Sequence, residues 1–309
     1  MGSQRGADRI STPGGVLHSG GGVEALIEPA RYTKALVALD LSPVSDSLIE
    51  WLPSLAPLGT SEVILVHVVD PAEYEHPVSG YDINALIEAA EREAARRLSG
   101  HAYRLRGVYR VSYIVRRGWP ASVISEEAER LNADIIVAGS HGKGWFRSIL
   151  LGSVSEELAR TASRPVLIVK EILSYTEKGK RIAARPLVFE HVVAALDLSS
   201  PEACVLEHAA AIAASTGAEI HLVSIARRRT ASLRARMEEH LEALRKIGVE
   251  ASGLLLRGSP GKTIVEFAVH TDASLIILGP PEKESGIRGI LRGRTLSVVL
   301  RHAPVSVLV

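Results

Sequence analysis

The chain has 309 residues, of which 46% are hydrophobic and 23% charged, and a formal net charge of +1. That length and balance suit about two globular domains with sizeable cores, and they exclude a chain drawn to nucleic acid or to a membrane surface by bulk charge. The single cysteine, Cys204, excludes an intrachain disulfide and suits a reducing, cytoplasmic setting; within its apolar helical stretch it reads as a packed thiol.

Residues 1–32 are rich in Gly and Ser and contain no continuous apolar block, so they read as a flexible extension, neither a secretory signal nor a membrane anchor. No stretch of the chain has the unbroken apolar length of a membrane span. The first strand pattern is Lys34-Ala-Leu-Val-Ala-Leu-Asp-Leu-Ser42 and the second is Glu62-Val-Ile-Leu-Val-His67. His67 on that apolar run reads as a packed histidine. Asp70 to Asp82, with two prolines and Gly80, reads as a surface loop. Ile83, Ile87, Ala90, Ala94 and Leu98 then recur at helical spacing. Arg117-Gly-Trp-Pro120 leads into a second helical run, Ala121 to Leu131, with proline in the favoured first turn.

Ala133-Asp-Ile-Ile-Val-Ala138 has the apolar continuity of a buried parallel strand. Gly139-Ser-His-Gly142 follows it; nine residues later Gly152-Ser153 leads into the helical stretch Val154 to Arg160. Glycines let backbone approach a ligand closely, and a helix start offers unpaired N–H groups and a positive dipole end. Strand, glycine loop and helix start in this order make a plausible phosphate cradle. Ser153 and Glu156 also have the Ser-x-x-Glu spacing of a capping box, which explains a serine without any ligand.

The chain then repeats itself. Lys170 to Pro186 is a charged linker, and the second half restates the first. His191-Val-Val-Ala-Ala-Leu-Asp-Leu-Ser199 mirrors the first strand, and Glu219-Ile-His-Leu-Val-Ser224 the second. Arg257-Gly-Ser-Pro260, Ala273 to Gly279 and Ala303 to Leu308 mirror Arg117 to Pro120, Ala133 to Gly139 and Arg164 to Val169. Ala209 to Ala214 and Leu233 to Leu244 read as helices. Alternating strand and helix imply a parallel sheet with helices on both faces.

The G-x2-G-x9-G-[ST] spacing at Gly139, Gly142, Gly152 and Ser153 resembles the nucleotide-binding signature of the universal stress protein family, and each half resembles one domain of it. The resemblance implies an α/β fold of two tandem, doubly wound, five-stranded parallel-sheet domains of strand order 3-2-1-4-5, related by a pseudo-two-fold. It implies a first domain at 33–171, a linker at 172–188 and a second domain at 189–309. With that order the ligand crevice lies between strands 1 and 4, where Asp40 and the Gly139 loop end. By the same resemblance the ligand is ATP, with Mg²⁺ as its companion ion. Asp40 would hold base or ribose and Val68 would contact adenine. Gly139, Ser140, His141, Gly142, Gly152, Ser153, Val154 and Ser155 would surround the phosphates. Asp40 could equally cap the turn at Ser42-Pro43, since it recurs as Asp197. Trp145 and Phe146 could form a lid, a partner patch or a packing contact.

The second half departs from the pattern. Gly279-Pro-Pro-Glu282 puts a carboxylate where the second glycine belongs, and Gly293-Arg294 replaces Gly-Ser. Two prolines remove two N–H donors. The sequence therefore predicts one competent site, in the first domain, with Gly286, Gly289 and Gly293 in a flexible loop of the second. No Cys or His cluster has usable metal-ligand spacing, no general base or arginine finger can be nominated, and aromatic residues are only 4%, too few for a stacking surface on nucleic acid. The implied role is an ATP-binding stress-response regulator with an unidentified protein partner. The alternatives are an interaction module without nucleotide and a slow ATPase. Family dimers pair fifth strands; Pro165 to Lys170 and Pro304 to Val309 would pair within one chain as a pseudo-dimer.

Overall fold

The computed structural model describes residues 8–10, 27–74, 82–140, 152–176, 179–184, 189–198, 203–280 and 287–309. They fall into two compact units, Arg31–Val188 with Leu300–Val309, and Phe189–Val299 with Met1–Ala30. In chain order the elements are β1 (Asp8–Ile10), β2 (Lys34–Ala38), α1 (Pro43–Trp51), β3 (Glu62–Val69), α2 (Ile83–Leu105), β4 (Arg110–Arg117), α3 (Pro120–Arg130), β5 (Ile135–Gly139), α4 (Ser153–Thr161) and β6 (Val166–Val169). The chain continues as β7 (Glu171–Thr176), β8 (Gly179–Ala184), β9 (His191–Ala195), α5 (Ala203–Thr216), β10 (Glu219–Ile225), α6 (Ala231–Lys246), β11 (Ala251–Leu256), α7 (Pro260–His270), β12 (Leu275–Leu278), α8 (Ile287–His302) and β13 (Ser306–Leu308).

In the unit that begins at Arg31, β4, β3, β2, β5 and β6 run parallel in that spatial order. Counted along the copy, this is the order 3-2-1-4-5. Ala35 to Val37, Val63 to Val66, Ile135 to Ala138 and Val166 to Val169 are buried, as expected for strands covered on both faces. The edge strand β4 has no buried residue and carries Arg110, Arg116 and Arg117, which discourage further strand addition. β13 pairs antiparallel with β6, Val307 opposite Ile168, and Val166 and Val309 exchange backbone hydrogen bonds of 2.9 and 3.0 Å.

The helices follow their sequence cues. Asp82 caps α2 by accepting from Asn84 and Ala85 N–H, and Ile87, Ala94, Leu98, Ala102 and Leu105 form its buried stripe. Proline occupies the first turn of α1, α3 and α7. Gly118 and Gly258, at matching places before α3 and α7, have φ of +139° and +146°, and a Cβ there would meet Val123 or Thr263 at 3.0 or 2.2 Å. That conformation is why Arg-Gly-x-Pro recurs in both halves.

In the second unit β11, β10, β9 and β12 are parallel in that order, repeating 3-2-1-4, and β1 pairs antiparallel with β11. One expectation needs correction, at Gly289 and Gly293, and two segments carry strands that the sequence does not predict. The segment 1–32, expected as a flexible extension, supplies β1. The charged linker carries two antiparallel strands, β7 with β8, Glu171 opposite Ala184 and Thr176 opposite Gly179. Gly289 and Gly293, expected in a flexible loop, lie within α8. No helix among the described residues is long and apolar enough to cross a membrane.

Candidate functional site

In the first copy β2 has β3 on one side and β5 on the other, so the strand order reverses beside its carboxyl end. Ala38 is level with Val66 and with Ala138. Asp40, Val68 and Ser140, each two residues further along, therefore stand at the carboxyl ends of three adjacent strands. Val68 and Ser140 are buried. Asp40 Oδ1 accepts from Ser42 N–H at 3.0 Å, so the local turn reading of Asp40 is present in the structure. His67 Nδ1 donates to the Leu39 carbonyl at 2.7 Å and braces the end of β2.

The helix start is tied to the end of β5 twice. Gly152 N–H donates to the Ser140 carbonyl at 2.9 Å, and the Ser155 hydroxyl donates to the Gly139 carbonyl at 2.6 Å. The Ser155 proton is thus directed at backbone, where the sequence predicts a phosphate donor. The capping box is also corrected. Gly152 is the N-cap, with no side-chain cap bond, and Ser153 is the first helical residue. Glu156 N–H bonds to the Gly152 carbonyl at 3.0 Å, so helix geometry leaves the N–H groups of Ser153, Val154 and Ser155 without intrahelical acceptors. Glu156, the acidic residue of that turn, is paired with Arg160 at 3.2 Å and Arg301 at 3.3 Å. These amides, at the positive end of α4, can receive an anion near the ends of β2 and β5. His141 and Gly142, with Lys143, Trp145 and Phe146, lie outside the described residues.

Two features have no obvious cue in the sequence. Arg97 of α2 donates to the carbonyl of Leu41, and Arg236 of α6 donates to that of Leu198, the matching residue of the second copy. Each arginine lies beside a buried residue of its helix, Leu98 or Met237. Leu41 has φ of +57°, a strained backbone for leucine next to Asp40.

The second copy presents a different terminus. Gly293-Arg294 aligns with Gly152-Ser153, but α8 starts at Ile287, seven residues before Arg294. N–H groups there point at the preceding turn of their own helix. Pro281, Glu282 and Gly286 lie outside the described residues. At the opposite, amino ends of the strands of this copy the structure brings His191, Glu219 and His221 together. Spacing along the chain hides this cluster, because His191 joins it through the register of β9 with β10.

The model of the universal stress protein family matches residues 31–170 and 189–309. Universal stress protein MJ0577 of Methanocaldococcus jannaschii is 33% identical over 156 residues, 45% of this chain and 95% of that protein. Universal stress protein Rv2005c of Mycobacterium tuberculosis is 32% identical over 163 residues, 53% of each, so the match spans about half the length of that relative. A universal stress protein from Archaeoglobus fulgidus shares the fold, with a TM-score of 0.69 at 24% identity, over 90% of this chain and 96% of that one. With both copies matched and the 3-2-1-4-5 order in place in the first, the chain belongs to the universal stress protein family.

Proposed function

We propose that the first copy, 33–171, binds an adenine nucleotide, ATP with Mg²⁺, and that the chain acts as a stress-response regulator through a protein partner. One observation carries this reading: Gly152 N–H and the Ser155 hydroxyl tie the start of α4, with its first-turn N–H groups, to the end of β5, the strand that neighbours β2 at the switch point. Their chemistry suits a polyphosphate. Gly139, Ser140, His141, Gly142 and Gly152 complete the phosphate side, with Asp40 and Val68 on the nucleoside side. The second copy, 189–309, is not given a nucleotide, since the aligned amides lie inside α8. The antiparallel register of β6 with β13 supports the further reading that the two copies pair through their fifth strands as an intramolecular pseudo-dimer.

The test is direct. Protein purified in its folded form is denatured and the released nucleotide is identified, and nucleotide-free protein is heated with and without ATP and Mg²⁺. About one adenine nucleotide per chain and a raised melting temperature are expected. Absence of both would leave the interaction module as the better reading. ADP accumulating with time, and abolished by Gly142→Asp, would add hydrolysis.

A further inference from the structure

Three side chains of the second copy converge at the amino ends of its central strands. His191 opens β9 and Glu219 opens β10, and the parallel register sets them side by side. His221 lies two residues beyond Glu219, so the pleat returns its side chain to the same face. His191 Nδ1 is 3.5 Å from one oxygen of Glu219, and His221 Nε2 is 3.7 Å from the other. One ligand atom from each residue lies within 4.8 Å of the other two. Donors roughly 2.0–2.1 Å from a tetrahedral metal stand roughly 3.3–3.4 Å apart, so small side-chain rotations would close the set on an ion.

The His221 ring is held from two sides. Its Nδ1 is 2.7 Å from Ser252 Oγ, and Phe267 meets it edge-on with ring centres 5.9 Å apart. With the Ser252 hydroxyl accepting from Nδ1–H, the lone pair sits on Nε2, the atom that faces Glu219. The His221 side chain is 11% exposed, whereas those of His191 and Glu219 are 41% and 51% exposed. The cluster is rooted on one side and open to water on the other.

The first copy provides an internal comparison. Lys34 and Glu62 occupy the paired strand positions, and Ile64 stands where His221 does. Lys34 Nζ lies 3.7 Å from Glu62, and Arg110 lies 3.0 Å from it, which is an ordinary ion-pair cluster. The fold is therefore built once with no imidazole at these strand ends. The second copy keeps the carboxylate and exchanges a cation and an apolar side chain for two imidazoles.

We propose that His191, Glu219 and His221 form a binding site for a divalent cation of the Zn²⁺ class, with three protein ligands and a position left to water. Two imidazoles and one carboxylate suit Zn²⁺, whereas Mg²⁺ and Ca²⁺ favour oxygen ligands. The site does not depend on the nucleotide reading, since it lies in the second copy, at the amino ends of strands whose carboxyl ends lead to Gly279. A bound ion would tie β9 to β10 and raise the stability of the folded form.

The experiment is a titration of the metal-stripped full chain with Zn²⁺ against a chromophoric chelator, paired with thermal unfolding. One equivalent bound with a raised melting temperature is expected, together with a loss of at least about tenfold in affinity for Glu219→Gln, His191→Ala and His221→Ala. Glu219→Gln changes an exposed side chain at nearly constant shape, so an unchanged metal-free melting temperature separates ligand loss from misfolding. Cys204→Ser is expected to bind as the parent does. A parent that takes up no Zn²⁺, variants that bind as tightly as the parent, or loss of the equivalent in Cys204→Ser would each overturn the proposal.

Discussion

The Ser155 hydroxyl donates to the Gly139 carbonyl at 2.6 Å, joining the third residue of α4 to the last residue of β5. Ser155 is buried, so its removal leaves an acceptor with little access to water. Ser155→Ala should lower stability by about 1 kcal/mol, seen as a fall of roughly 2–4 °C in melting temperature for a chain of this size. ATP affinity should fall as well, because the clasp sets where the first-turn amides point. A variant with unchanged stability and affinity would show that Gly152 to Ser140 alone anchors the helix start.

Gly152→Val separates space from backbone freedom. Gly152 has φ of −62° and ψ of 138°, a conformation open to any residue. Valine is a poorer N-cap than glycine, so a loss of about 1 kcal/mol in stability is expected, with the fold retained. Its branched side chain would stand where a phosphate must approach the Ser153 and Val154 amides. Calorimetry should show ATP affinity reduced at least about tenfold, a penalty of roughly 1.4 kcal/mol. Normal ATP binding by this variant would sink the proposed cradle.

The two kinds of information in the chain were unequally legible. Buried parallel strands are continuous apolar runs, so β2, β3, β5, β6, β9, β10 and β12 could be read directly. The order 3-2-1-4-5 follows from family resemblance alone, since local pattern does not say which strands are neighbours. Ser42-Pro43 reads as a turn, yet it opens α1, since proline also suits the first turn of a helix. α8 was hidden by Gly289 and Gly293, whose low helix propensity is outweighed where Leu296, Val299 and Leu300 are buried. The Ser155–Gly139 clasp, the Arg97–Leu41 and Arg236–Leu198 contacts and the His191 cluster all join residues far apart in sequence. Each needed the register or the helix position before it could be seen.

Gly293→Ala tests the different terminus of the second copy. A glycine inside a helix costs roughly 0.5–1 kcal/mol relative to alanine. Since Gly293 lies within α8, alanine should raise the melting temperature or leave it unchanged, and nucleotide stoichiometry should stay at about one. A fall in bound nucleotide on this substitution would assign ligand binding to the second copy and contradict the single-site reading.

Lys170 gives a pH signature for the end of β6. Its ammonium is largely buried and donates to the Leu300 carbonyl, and burial pushes its pKa down from 10.5 to about 8. Between those two values the unfolded chain holds a proton that the folded chain has released, so this group makes stability rise with pH across that window. Below about pH 8 both states are protonated and the full cost of burying the charge opposes folding. Denaturant unfolding of the parent and of Lys170→Met, repeated at intervals from pH 7 to pH 10.5, should show the parent gaining relative to the variant above pH 8. The hydrogen bond that methionine cannot make shifts the offset between the two curves and leaves their difference in slope intact. Parallel curves across the window would mean that the folded protein keeps Lys170 solvated and charged, with an ordinary pKa.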